Sequence, residues 1–457
     1  FTADPTYANF GAYSYVNSDV TDTSRVGNQG TVPRKFVEYE EGIYLGYRYY
    51  ETANLVNPDF VYGELDGRGA AATVGAVAYP FGYGLSYTSF EQKIINFDDK
   101  KDTVTVEVEV KNTGDIAGKE VIQLYYNPPY TEYDRENKIE KAAANLIGFA
   151  KTSLLAPGAS ETVTIRFEKE EMSSYSYLHA NSDGTIGCYL LEAGNYSIDL
   201  KNNSHDLIES RTATVSKTVY YEGKNARGSE KEAQSQLNEE GEAVLLGNRD
   251  YQAASNRFDT LNAYMQTEDV TNLSRSDWAG TQPTAPDNRE KEAPQLALDE
   301  FERMANYSPS ADVLLGNSEE SLVYASEPAK SGCENGMTLI DLRAVPYDDE
   351  KWDAFLDAFK LSDLTRLTAN GAYHTEAINR LGIPASRISG GTSGLQPIFA
   401  SFHTVSYPSE AVIGATWNVA LAGKYGETIA AEASAYGLNG LYAPSAAIRR
   451  SPVSGQT

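Results

Sequence analysis

The stretch RISGGTSGL, residues 387–395, places glycines and hydroxyls between an apolar residue near each end. That composition suits a loop holding a small polar ligand, because glycine admits close backbone approach and hydroxyls both donate and accept. Ser389, Gly390 and Gly391 form its centre, and no carboxylate accompanies them. Other residues able to do chemistry are sparse. His179, His205, His374 and His403 lack the spacing of a metal pair, so neither a metal nor a cofactor is expected. Cys188 and Cys333 are too few for a disulfide framework and too distant in sequence for a metal site, which leaves them as buried or free thiols.

Such a loop needs elements to hold it. The 457 residues suggest two to four domains, and 41 % hydrophobic with 22 % charged residues is an ordinary globular composition. A net charge of −26 repels phosphate backbones and anionic bilayers, so no nucleic acid partner is expected. No stretch approaches the ~18 apolar residues of a membrane segment. Residues 1–30 show neither a basic nor an apolar leader region, and the composition fits a bacterial cytoplasm or a secreted protein equally.

From about Phe90 short alternating runs begin. TVTVEVEV (103–110) puts Val104, Val106, Val108 and Val110 on one face; EVIQLYY, ETVTIRF and YSIDL follow. Turn signals separate them at Asn112-Thr113-Gly114, Pro128-Pro129, Pro157-Gly158 and Glu192-Ala193-Gly194. This predicts a fibronectin type III-like or immunoglobulin-like β-sandwich over 89–215. Before it, Phe81, Tyr83, Leu85 and Tyr87 suggest an ordered loop packed on a neighbour. Residues 216–345 read as a polar linker or surface wrap with a few helical turns. After Asp349 a helical period sets in, with Trp352, Phe355, Leu356 and Phe359 on one face. A second helix is expected to end near Gly437, before the short apolar run GLYAP.

Several long segments resemble glycoside hydrolase family 3, the β-glucosidase and β-xylosidase family. They are VEYEEGIYLGYRYYET with YPFGYGLSYTSF, IEKAAANLIGFAKTSLLAPGASETVTIRF, LGIPASRISGGTSGL, YPSEAVIGATWN and YAPSAAIRRSPVSGQT. The resemblance implies a permuted multidomain α/β plus all-β chain. Its parts would be the C-terminal part of an α/β sandwich domain (1–88), the fibronectin type III-like sandwich (89–215), the polar extension (216–345) and the N-terminal part of a (β/α)8 TIM-type barrel (346–457). On this expectation the chain is truncated at both ends, inside domains.

The resemblance also implies exo-acting, retaining hydrolysis of terminal β-linked glucose or xylose. That chemistry requires two carboxylates ~5–5.5 Å apart. Projected onto this chain, both fall outside it, so the chain alone is expected to be inactive. Asp277, in the run Ser276-Asp277-Trp278, copies the family nucleophile's local signature. It follows the polar DVTNLSR rather than an apolar strand, so it is disfavoured as a catalytic residue. The family's sugar-binding loop usually carries an Asp where Gly390 stands. In the second sugar-binding segment Ala447, Arg449, Ser454 and Gln456 replace Asn, His, Gly and Arg. Ser389, Gly390, Gly391, Arg449 and Gln456 are therefore the expected remnant of a substrate site. His403 could line the barrel mouth, although an ordinary surface or cap histidine suits it better, and the tyrosines of YRYYET could stack on sugars, although packing between domains suits them better. The expected partner is a β-linked oligosaccharide, glucoside or xyloside. A homo-oligomer or a complementing chain would cover an incomplete barrel. The alternative is a non-catalytic carbohydrate-binding or scaffold relative, favoured by Gly390, Ala447 and Gln456.

Overall fold

The computed structural model describes residues 13–21, 31–36, 38–63, 75–238, 241–245, 250–264, 270–283, 292–306, 332–347, 349–371, 373–396 and 403–445. Two compact units divide the chain. The first comprises residues 1–230, 252–306 and 448–457; the second comprises 231–251 and 307–447.

In the first unit, β1 (Tyr13–Thr21) and β2 (Thr31–Phe36) pair antiparallel. The helix α1 (Tyr47–Val56) follows. The sandwich comprises β3 (Phe90–Asp99), β4 (Thr103–Asn112), β5 (Val121–Asn127), β6 (Asn145–Lys151), β7 (Ser160–Glu168), β8 (Ser174–Ala180), β9 (Ile186–Leu191), β10 (Gly194–Lys201), β11 (Leu207–Val215) and β12 (Val219–Tyr221). Its sheets run β3-β4-β7, β11-β10-β5-β6 and β12-β9-β8. The alternation in β4 does what the pattern requires: Val104, Val106, Val108 and Val110 are all fully buried in one core with Ile122, Leu124, Ile198 and Leu200. Each such side chain contributes about 1.5–3 kcal/mol by leaving water. Asn112 closes the predicted turn by accepting from the Gly114 N–H at 3.0 Å, while its amide donates to the carbonyls of Ile116 and Leu155. The sandwich strands run on to Tyr221, since β12 pairs with β9 (Tyr221 opposite Tyr189).

Alternation fails in β5, where Ile122 through Tyr126 are all buried. One set, Ile122, Leu124 and Tyr126, enters the sandwich core. The other is covered from upstream. Gln123 donates to the Gly82 carbonyl at 3.0 Å, and Tyr47 of α1 meets Tyr125 edge-on while stacking on Phe81 at 4.7 Å. The loop around Phe81 is thus ordered as expected, but Leu85 and Tyr87 are 89 % and 95 % exposed. Only the glycine-flanked start of that loop packs on the sheet.

In the second unit, β13 (Ser235–Leu237) and β14 (Ala243–Leu245) form a hairpin. The expected helix over 352–359 is two helices, Glu350–Asp357 and Leu361–Ala369. Trp352, Phe355 and Phe359 join a core with Leu342, Ile378 and Leu381, whereas Leu356 is 57 % exposed. Ala358 is buried beside them, so the apolar stripe is flanked on the side away from Leu356. Three strands complete the unit: β15 (His374–Thr375), β16 (Ser386–Gly390) and β17 (Gly440–Tyr442), in the order β15-β16-β17. The 17-residue helix Val419–Ala435 lies between β16 and β17 in sequence. Asn418 caps it, accepting from the Leu421 N–H, and Gly437 ends it at φ +70° with the Leu438 N–H returning to the Ala433 carbonyl. Because β16 and β17 are parallel, the region contains a β–helix–β crossover.

Candidate functional site

The glycine- and serine-rich loop lies where β16 ends. Ile388, Ser389 and Gly390 pair with Gly440, Leu441 and Tyr442, so Gly390 and Tyr442 are side by side at the carboxyl ends of parallel strands. Open α/β sheets bind ligands at such ends. Ser389 is buried, and its hydroxyl donates to the Gly390 carbonyl at 2.9 Å. That carbonyl also accepts from the Gln396 N–H at 2.8 Å, closing the loop on itself. From outside, the Tyr425 hydroxyl donates to the Thr392 carbonyl at 2.6 Å.

The glycines of this loop differ in kind. A Cβ on Gly390 would meet Gln396 at ordinary contact, its carbonyl at 3.6 Å and its Cβ at 4.0 Å, and one on Gly391 only ordinary neighbours. Gly394 has φ +118°, and a Cβ there would lie 2.3 Å from the Val405 carbonyl. Glycine is required at 394 by the fold, whereas 390 has room for a side chain. His403 is exposed, and its carbonyl accepts from Tyr436. Ala447, Arg449, Ser454 and Gln456 lie outside the described residues.

Asp277 lies in the first unit, in a 3-10 turn over Arg275–Asp277. Its carboxylate is exposed and accepts from the Gly280 N–H at 3.0 Å. The turn belongs to a strap, residues 270–283, that sequence read as a polar connection. Leu273 and Trp278 are nonetheless buried, in a cluster with Tyr44, Tyr49, Tyr50 and Ala142. Trp278 meets Tyr44 edge-on at 5.0 Å and lies tilted against Tyr49 at 5.2 Å.

Glu140 fixes the strap. Its carboxylate accepts from the Ser274 hydroxyl at 2.6 Å, the Arg275 N–H at 2.9 Å and the Tyr44 hydroxyl. Burial, then the Glu140 charge, pushes the Tyr44 hydroxyl well above the usual phenol range. The Arg275 guanidinium donates to the Lys141 carbonyl at 3.0 Å and lies over the Tyr130 ring at 4.9 Å; burial pulls its pKa down.

Two further buried polar clusters hold the first unit. Glu51 of α1 accepts from Tyr62 at 2.5 Å and Ser204 at 3.1 Å, and lies 3.1 Å from His205 Nδ1, with His205 stacked on Tyr62. Lys141 is bound by Asp134 at 2.7 Å, by Glu192, and by the Pro129 carbonyl at 3.1 Å. Burial, then the neighbouring Asp134, raises the Glu192 carboxyl above its ordinary 4.5. Sequence reasoning missed Glu51, Glu140 and Lys141. The signal available was the presence of charged residues inside aromatic and small-residue runs, YRYYET and IEKAAAN.

The tyrosines of YRYYET are used for packing and anchoring. Tyr47 accepts from the Leu146 N–H at 3.0 Å, and Tyr49 donates to Gln282 at 2.9 Å. Cys188 is buried, its thiol pushed up to about 11 by desolvation, and Cys333 is exposed. Among the described residues no group of three or more His, Cys, Asp or Glu is placed to hold a metal, and no helix is long and apolar enough to cross a membrane.

Residues 120–204, within this β-sandwich, match the fibronectin type III-like domain model. Among curated proteins, the chain is 34 % identical over 188 residues to a beta-glucosidase of Kluyveromyces marxianus, covering 41 % of this chain and 18 % of that protein. It is 37 % identical over 205 residues to beta-glucosidase A of Butyrivibrio fibrisolvens, covering 41 % and 21 %. Among solved structures, beta-glucosidase 3B from Thermotoga neapolitana in complex with glucose matches at 34 % identity and TM-score 0.31, over 40 % of this chain and 21 % of that one. The chain thus spans about a fifth of the length of the curated relatives it matches. These matches agree with the resemblance to glycoside hydrolase family 3 that the motifs carry.

Proposed function

We propose that the protein acts in exo-hydrolysis of terminal β-linked glucose or xylose, with retention. What carries this reading is the 34–37 % identity to two beta-glucosidases over 188 and 205 residues. The permuted order of domains is part of the proposal. The parallel crossover from β16 to β17, downstream of the sandwich, supports a barrel beginning in that region. In double displacement one carboxylate attacks the anomeric carbon while a second protonates the leaving oxygen and later activates water.

We assign neither role to Asp277. Its carboxylate accepts from the Gly280 N–H in the turn that follows the 3-10 turn, and the neighbouring Trp278 is occupied in packing. Residues 389–391, with Arg449 and Gln456, are proposed as a weakened sugar-binding remnant, since Gly390 offers no charge-assisted acceptor. Assayed by itself, this chain should release no nitrophenol from an aryl β-glucoside. Release that disappears in Asp277→Ala would make Asp277 the nucleophile and overturn this assignment.

A further inference from the structure

A cleft of about 940 Å³ opens in the first unit, lined by α1, by the loop between β5 and β6, by β8 and β9, and by the strap. Its size is in the range of small-molecule sites. Tyr175 and Tyr189 are cross-strand partners whose rings meet edge-on at 4.9 Å. Tyr177, two residues along β8, also lines the cleft and is 40 % exposed. Aromatic faces of this kind receive the C–H faces of pyranose rings, while their hydroxyls serve sugar hydroxyls.

The charge of the lining runs against that of the chain. Five Lys or Arg residues line it against two Glu, in a protein of net charge −26, although the Lys141 side chain is itself buried. Both carboxylates have donors: Glu140 is held by the strap, and Glu171 accepts from the Glu168 N–H at 3.4 Å. Of the cations, Lys141 is held by Asp134 and Glu192 and Arg135 pairs with Glu132 at 3.0 Å, but the other three are less satisfied. Arg48 and Lys138 are exposed and, among the described residues, have no ion-pair partner. Arg227 lies over the Tyr189 ring at 3.4 Å, with Ser173 at 3.4 Å and Glu230 at 3.6 Å as distant partners, and its Nε is buried without an acceptor.

We propose that this cleft is a binding site for a saccharide bearing a carboxylate. The saccharide half of this inference rests on the glycosidase reading; the anionic half rests on the lining alone. Calorimetry on this chain tests it with cellobiose, cellobiouronic acid (the same disaccharide with one carboxylate) and citrate. The acidic disaccharide should bind about tenfold or more tightly than cellobiose, the ratio expected of one charge-assisted contact. Arg48→Gln and Tyr177→Ala, both exposed and so harmless to folding by circular dichroism, should each weaken it about tenfold. Equal binding of the two disaccharides, no binding of either, or affinity unmoved in both variants would overturn the proposal. Citrate binding as tightly as the acid disaccharide, with the same dependence on Arg48, would overturn the saccharide half and leave the hydrolytic reading to its own turnover assay.

Discussion

Replacing Lys141 with methionine should unfold the first unit far more readily than any surface change. The Lys141 side chain is 1 % exposed and lies between Asp134, fully buried, and Glu192, 8 % exposed. Methionine keeps most of the stem but removes the charge, leaving two carboxylates in a low-dielectric interior. Removing one partner of a buried ion pair costs about 3–5 kcal/mol, because the remaining charge is uncompensated. The deficit should depend on pH. The Glu192 carboxyl is already raised above 4.5 by burial and by Asp134, and losing the ammonium raises it further. A carboxyl whose folded pKa exceeds its unfolded value stabilises the fold below the unfolded pKa, and that contribution is lost as pH rises through the folded one. Lys141→Met should therefore lie closest to wild type near pH 4.5, and the gap should widen towards neutrality. Urea unfolding monitored by tyrosine fluorescence at several pH values measures this. Adding Glu192→Gln should restore part of the loss, since the two sites are coupled. A deficit under about 1 kcal/mol at pH 7, or one independent of pH, would refute the claim that the ammonium balances two buried carboxylates.

What was legible in the sequence follows from which forces act locally. The four valines of β4 could be read because strand period and burial coincide there. The double burial of β5 could not, since Gln123 and Tyr125 face a cover made by residues some forty or more positions upstream. The same limit applies to the strap. Its local composition is polar, and only Glu140 and the cluster around Tyr44 explain why Leu273 and Trp278 are inside. At the candidate loop, the glycine framework was legible as a motif. The distinction between Gly394, which the backbone requires, and Gly390, which it does not, depends on Val405 and Gln396 and so needed the fold.

Trp278→Ala should free the strap without unfolding the sandwich: burial of a large aromatic is worth about 3–5 kcal/mol, and here the loss falls mainly on residues 270–283. Limited proteolysis should then cut near Ser274 while the sandwich core stays protected; equal protection in wild type and variant would count against a strap held by Trp278. The loop after β16 offers a paired test in which one glycine controls for the other. Gly394→Ala drives a Cβ to 2.3 Å from the Val405 carbonyl at a φ of +118°, so the second unit should lose about 1–3 kcal/mol in thermal unfolding. Gly390→Asp meets only ordinary contacts with Gln396 and lies at the end of β16, so its stability should remain within about 0.5 kcal/mol of wild type. If the loop is a sugar site weakened only by the missing acceptor, that same variant should bind glucose measurably more tightly by calorimetry. An unchanged affinity in a stable Gly390→Asp protein would show that the carboxyl ends of β16 and β17 no longer form a sugar site, because the one acceptor a side chain at 390 can supply would then be present without effect.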